Sequence, residues 1–150
     1  NQHNYKHKEK IMGLDQYAYA RPPRKRNGDD DIQIGEWRKH NRLQGWMQQL
    51  WEDKGCPNAR IEGDEMGDFN CVELQLTKQD IDNLEYAIEN FELPEANGFF
   101  WGSDSYFWND ENDEPFPENH YWYKDADLSF VKEARKMLDN KYRIYYSCWY

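Results

Sequence analysis

The chain has 150 residues, a net charge of −10 and 17% aromatic residues, among them seven Trp and eleven Tyr. That length fits one domain, and no apolar run approaches the ~20 residues of a membrane-spanning helix. Hydrophobic residues reach only 38%, so aromatic rings must supply much of the buried area.

The charge is uneven. Residues 1–26 carry seven Lys/Arg and two Asp/Glu, a net +5, whereas the remainder carries twelve and twenty-seven, a net −15. An acidic body repels phosphate, which weighs against nucleic acid as a partner, while the basic segment reads as a solvated tail that could still touch an acidic partner or nucleic acid. The three cysteines, Cys56, Cys71 and Cys148, are too few and too scattered for a disulfide framework or a zinc site. The polar, basic start is not a signal peptide. Together these features point to a cytoplasmic protein with no cofactor and no metal.

Residues 1–11, NQHNYKHKEKI, have neither helical nor strand periodicity and read as an extension. Met12 begins MGLDQYAYA, which reads as the start of a single domain over 12–150. Leu14 to Ala20 alternates as a strand, with Asp15, Tyr17 and Tyr19 on one face and Leu14, Ala18 and Ala20 on the other. Residues 21–31 form a loop broken by Pro22-Pro23 and Asn27-Gly28. Ile34 to Asp53 is predicted as the first helix, since Ile34, Trp37, Leu43, Trp46, Met47, Leu50 and Trp51 recur at steps of three and four.

Cys71 to Leu76 alternates as a second strand, with Val72, Leu74 and Leu76 inward. Thr77, with Asp80 three residues on, caps a second helix whose apolar stripe is Ile81, Leu84, Ile88 and Phe91. GFFWG at 98–102 reads as a short strand or turn, and 103–120 as an acidic, aromatic loop. Asp125 or Asp127 caps a third helix, with Leu128, Val131, Ala134 and Leu138 inward. Arg143 to Tyr150 ends the chain as a strand, with Ile144, Tyr146 and Cys148 on one face. The expected fold is α+β: an antiparallel or mixed sheet of about four strands, with about three helices on one face and the two aromatic terminal strands near each other.

Three phrases carry a resemblance: MGLDQYAYA at 12–20, IGEWRKHNRLQGWM at 34–47 and GFFWGSDSY at 98–106. They resemble a family of small proteins encoded by tailed phages, which share an MGLD-type start, an xWRKxN helix and a GFFFGS-type turn. The resemblance spans most of 12–150. It implies a phage setting and an α+β domain, and no particular reaction. Relatives often carry His where this chain has Gln44, and here the histidine is His40, so no catalytic His is carried over.

Four constellations bear on function. Glu36 and His40, placed four apart on the predicted helix, could meet on one face, and a Glu–His pair suits acid–base work. The same spacing suits a surface ion pair above a packed Trp37. With Arg38 and Ser103 they form the candidate pocket of an enzyme or small-ligand binder. In GFFWGSDSY, Ser103 and Ser105 could hold an anion, but no nucleophile elbow or P-loop is present, and a core strand ending in a turn explains the phrase as well. The run Asp104, Asp110, Glu111, Asp113, Glu114 and Glu118 lacks the EF-hand order and reads as a solvated loop, with a weak Ca²⁺ or Mg²⁺ site as the alternative.

The fourth constellation is the most informative. Trp101, Tyr106, Trp108, Tyr121 and Trp122 gather around this loop with Asp104 and Asp110. Exposed rings beside carboxylates suit a partner-binding patch, although such a loop could also fold back and bury its rings. The reading that follows is a phage-type accessory protein that binds a protein partner, with a virion component and a ligand-binding enzyme as alternatives.

Overall fold

A computed structural model describes residues 13–96, 108–109, 111–117 and 120–150. The elements in chain order are β1 (Asp15–Arg21), β2 (Ile32–Arg38), α1 (Asn41–Asp53), β3 (Ile61–Glu62), β4 (Glu65–Met66), β5 (Leu74–Leu76), α2 (Lys78–Glu89), β6 (Trp108–Asn109), β7 (Glu114–Pro115), α3 (Lys124–Asp139) and β8 (Arg143–Trp149). The fold is α+β. Its four-stranded sheet has the order β2-β1-β8-β5, and every neighbour is antiparallel. The two aromatic terminal strands are the central pair, as expected from sequence.

Alternation decides which side of the sheet is covered. Trp37, Gln16 and Cys148 stand opposite one another in register across β2, β1 and β8, and all three are buried. Leu14, Ala18, Ala20, Ile144, Tyr146, Leu74 and Leu76 share that covered face and are buried too. The helices supply the other half of the core through Leu43, Met47 and Trp51 of α1, Ile81, Leu84 and Ile88 of α2, and Phe130, Val131 and Ala134 of α3. Rings fill the middle: Trp37 meets Phe130 edge-on at 5.3 Å, and Phe69 stacks on Trp51 at 5.1 Å and on Tyr146 at 6.1 Å. Each fully buried large side chain contributes about 1.5–3 kcal/mol relative to exposure.

α2 starts where sequence puts it. The Thr77 side chain accepts from the Asp80 amide and the Asp80 carboxylate accepts from the Thr77 amide, a complete capping box. Two other starts differ. The predicted helix over 34–53 is a strand followed by a helix, with Lys39 in the left-handed region (φ 57°) at the corner. The pairing of β1 with β2 jumps from Ala18–Gly35 to Tyr19–Gln33, leaving Ile34 as a bulged extra residue. The bulge breaks the period of two, so Ile34 and Trp37 mimic helical spacing. α3 starts at Lys124 after Tyr123, with no side-chain cap. Asp125 and Asp127 therefore lie inside its first turn. The strand expected from Cys71 is shorter, because Cys71 is exposed at a left-handed turn (φ 62°), where its amide donates to the Cys148 carbonyl.

Gly35 has to be small. A Cβ there would lie 2.5 Å from Cη2 of Trp37 and 3.2 Å from the Ala18 Cβ, because the indole folds back over it. Gly35→Ala should therefore destabilise the fold by about 1–3 kcal/mol through overpacking, read as a lower urea midpoint with an unchanged slope. A midpoint equal to that of the wild type would show that the indole can move away.

Candidate functional site

The polar groups that sequence reasoning singled out separate into a buried set and a surface set. The buried set lies between the covered face of the sheet and the helices. Asp127 on α3 is 1% exposed. Its Oδ1 accepts from the Trp37 indole N–H at 2.9 Å, and its Oδ2 accepts from His40 Nε2 at 2.8 Å and from the Tyr121 hydroxyl at 2.6 Å. A carboxylate can only accept, so the hydrogen of the His40 ring is placed on Nε2.

His40 follows the left-handed corner at Lys39, and its ring stacks on Tyr123 with centroids 4.8 Å apart. Its backbone is held as well. The His40 amide donates to Gln16 Oε1 at 2.8 Å, and the His40 carbonyl accepts from Gln16 Nε2 at 2.9 Å. From Gln16 the chain of bonds runs on. Its Nε2 also donates to the Tyr146 hydroxyl, that hydroxyl donates to Gln44 Oε1, and Gln44 Nε2 reaches Cys148 Sγ at 3.2 Å. One connected polar network thus ties β1, β2, α1, α3 and β8 together.

This network replaces the expected Glu36–His40 pair. Glu36 and Arg38 lie on β2 and are exposed, whereas His40 is buried one corner later. Glu36 accepts from Gln33 at 3.3 Å, and the carboxylate beside His40 belongs to Asp127. Asp127 was expected as a helix cap and is the acceptor at the centre of the core. Tyr121, expected in the partner-binding patch, is fully buried on it.

The sequence holds no local sign of the His40–Asp127 pair, whose members are 87 positions apart. The available signal was an Asp at an apolar-stripe position, three residues before Phe130 and four before Val131. Trp101, Ser103, Asp104, Tyr106 and Asp110, the side chain of Trp108, the GFFWG turn and residues 1–12 lie outside the described residues.

The surface set keeps Trp122, which is 37% exposed. Its ring is 6.1 Å from Phe116, and Phe116 meets His120 edge-on at 4.8 Å. β6 and β7 pair as a small hairpin, Trp108 with Pro115 and Asn109 with Glu114. Glu111, Asp113 and Glu114 are exposed on it.

Two surface depressions lie elsewhere. One, of about 720 Å³, runs between α2 and α3 past Glu85, Lys132 and Arg135, and the other, of about 200 Å³, sits under the β3–β4 hairpin. Neither is lined by His40 or Asp127. Among the described residues no three His, Cys, Asp or Glu side chains converge as a metal site, and no helix is long and apolar enough to cross a membrane.

In comparisons with protein families, with curated proteins and with solved structures, nothing matches this chain.

The Asp127 assembly fixes the core. Asp127→Ala leaves three donors without their acceptor and should cost about 3–5 kcal/mol. Tyr121→Phe, which removes one donor of three, should cost about 1–2 kcal/mol. Urea denaturation followed by circular dichroism measures both, and equal losses would show that the three bonds do not share one acceptor.

The thiols give a second test. Burial pushes Cys148 from 9.0 up to about 12, while Cys71 is exposed. A thiolate-selective disulfide reagent at pH 8 should modify Cys71 quickly and Cys148 only on unfolding. The fold keeps the Cys148 proton that the unfolded chain loses above its ordinary value. This contribution to stability is therefore lost as pH rises from about 9 towards about 12.

Proposed function

We propose that this chain is a phage-type accessory protein that binds a basic protein partner through the aromatic, acidic surface from Glu111 to Trp122. The observation that carries the reading is the exposed indole of Trp122, packed against Phe116 beside the exposed carboxylates of Glu111, Asp113 and Glu114. Exposed Trp is uncommon on a surface without a partner, and indoles are enriched at the centres of interfaces. The carboxylates add steering towards a basic surface and a dependence on ionic strength. The phage setting rests on the three phrases at 12–20, 34–47 and 98–106. The enzyme reading loses support, because Glu36 and Arg38 are exposed on a strand while His40 is buried and hydrogen-bonded to Asp127.

The test is affinity capture from bacterial lysate on the immobilised chain, at low and high salt. It is run alongside Trp122→Ala and the triple change Glu111→Gln, Asp113→Asn, Glu114→Gln. The expected result is a discrete partner held at low salt, released at high salt, and lost with either variant. The hairpin carboxylates are exposed, so the triple variant should keep the wild-type stability within about 0.5 kcal/mol, and circular dichroism checks that Trp122→Ala, which loses its contact with Phe116, still folds. A partner retained by both variants would remove this surface from the reading.

A further inference from the structure

The face of the sheet away from the helices carries two groups of the same composition. In the first, the Arg21 guanidinium lies 4.4 Å from the Tyr145 ring centre and 5.9 Å from that of Tyr19, and the two rings stack at 5.7 Å. Two carboxylates complete it: Asp31 accepts from Nε and Nη2 at 3.0 Å each, and Glu73 accepts from Nη2 at 2.9 Å. Two π faces and two carboxylates hold one planar cation, and Arg21 is left 5% exposed.

The second group lies one step along the same strands. Register places Arg38, Asp15 and Trp149 in one row, and Glu36, Tyr17 and Ser147 in the next. It again has two rings, Tyr17 and Trp149, and two carboxylates, Asp15 and Glu36. Besides partial burial, both of those charges hold the Tyr17 hydroxyl above its ordinary pKa, while Arg38 acts the other way. Among the described residues no ion pair reaches Asp15 or Glu36. Trp149 is 61% exposed, and Ser147 leaves a short side chain between the two rings.

We propose that this second group binds an arginine or lysine side chain from an extended basic segment of a partner protein laid along the open face. Charge selects that occupant. Residues 27–150 carry a net −15, and Asp15 and Glu36 outnumber Arg38 at the group itself. The composition repeats the one that already holds Arg21. Arg38 stands at the rim as a competing cation, so its removal strengthens binding, an effect no purely structural role produces. The proposal is independent of the Trp122 surface.

The test is a titration of the full chain with a hexa-arginine peptide, read by calorimetry and by the chemical shift of the Trp149 indole. Trp149→Ala should weaken binding about tenfold, the size of a cation–π contact of 1–2 kcal/mol. Glu36→Gln should weaken it several-fold, Arg38→Ala should tighten it, and Trp122→Ala should leave it unchanged. Trp149 and Arg38 are exposed, and a thermal melt checks that their variants fold. Three results would overturn the proposal: unchanged affinity in both Trp149→Ala and Glu36→Gln, weaker binding in Arg38→Ala, or a loss in Trp122→Ala equal to that in Trp149→Ala. Sedimentation that shifts with Trp149→Ala while peptide affinity stays constant would assign the face to a second copy of this chain, and would also overturn it.

Discussion

A buried carboxylate is costly unless hydrogen bonds replace its water, and Asp127 has three such bonds from three elements. Trp37 comes from β2, His40 from the corner before α1, and Tyr121 from the approach to α3. Any arrangement that separated those elements would leave a charge and three donors unpaired in the core. The network therefore ties β2, the corner before α1 and the start of α3 to one another. Hydrophobic burial provides most of the driving force for folding, but it is not directional; the hydrogen bonds of Asp127 and Gln16 are, and they select one packing of an aromatic core. Gln16 extends the selection to β1 and β8, because one amide group grips the His40 backbone and the Tyr146 hydroxyl.

Much of the architecture was legible in local pattern. The inward faces of β1 and β8, Leu14, Ala18 and Ala20 against Ile144, Tyr146 and Cys148, follow from a period of two in the sequence, although Tyr145 and Arg21 on the other face are buried as well. The Thr77–Asp80 box announces α2 because both of its bonds form within four residues. Legibility failed where the determining contact is remote or the period is interrupted. The bulge at Ile34 shifts β2 by one residue and produces helical spacing in a strand. Asp127 looks like a first-turn cap in sequence because acids are favoured there, and only the fold reveals donors 87 and 90 positions away. The Glu36–His40 pairing fails for the same reason, since it assumed one helix across a corner that Lys39 makes in the left-handed region.

The same two kinds of group, aromatic rings and carboxylates, behave differently on the two faces of the sheet. On the covered face the rings interlock and one carboxylate is saturated by donors. On the open face the Tyr19–Tyr145 stack is covered by Arg21, whereas Trp149, two rows along the strands, stays exposed. Trp149 is exposed at the end of a central strand. It lies four residues along β8 from Tyr145, whose stack with Tyr19 already holds a guanidinium.

Edge protection constrains how a partner can approach. β2 is an outer strand of seven residues, and its unpaired backbone groups could template another strand. At Arg38 that route is occupied: the Tyr123 hydroxyl accepts from the Arg38 amide at 3.0 Å and donates to the Arg38 carbonyl at 2.5 Å. The same tyrosine stacks on His40, so this end of the edge is capped by a residue that also braces the buried network. A strand added along the whole of this edge would have to break that double contact at Arg38, whereas a side chain laid on the open face would not. At this end of β2, extension of the sheet is opposed by the Tyr123 contact, which leaves the side chains of the open face untouched.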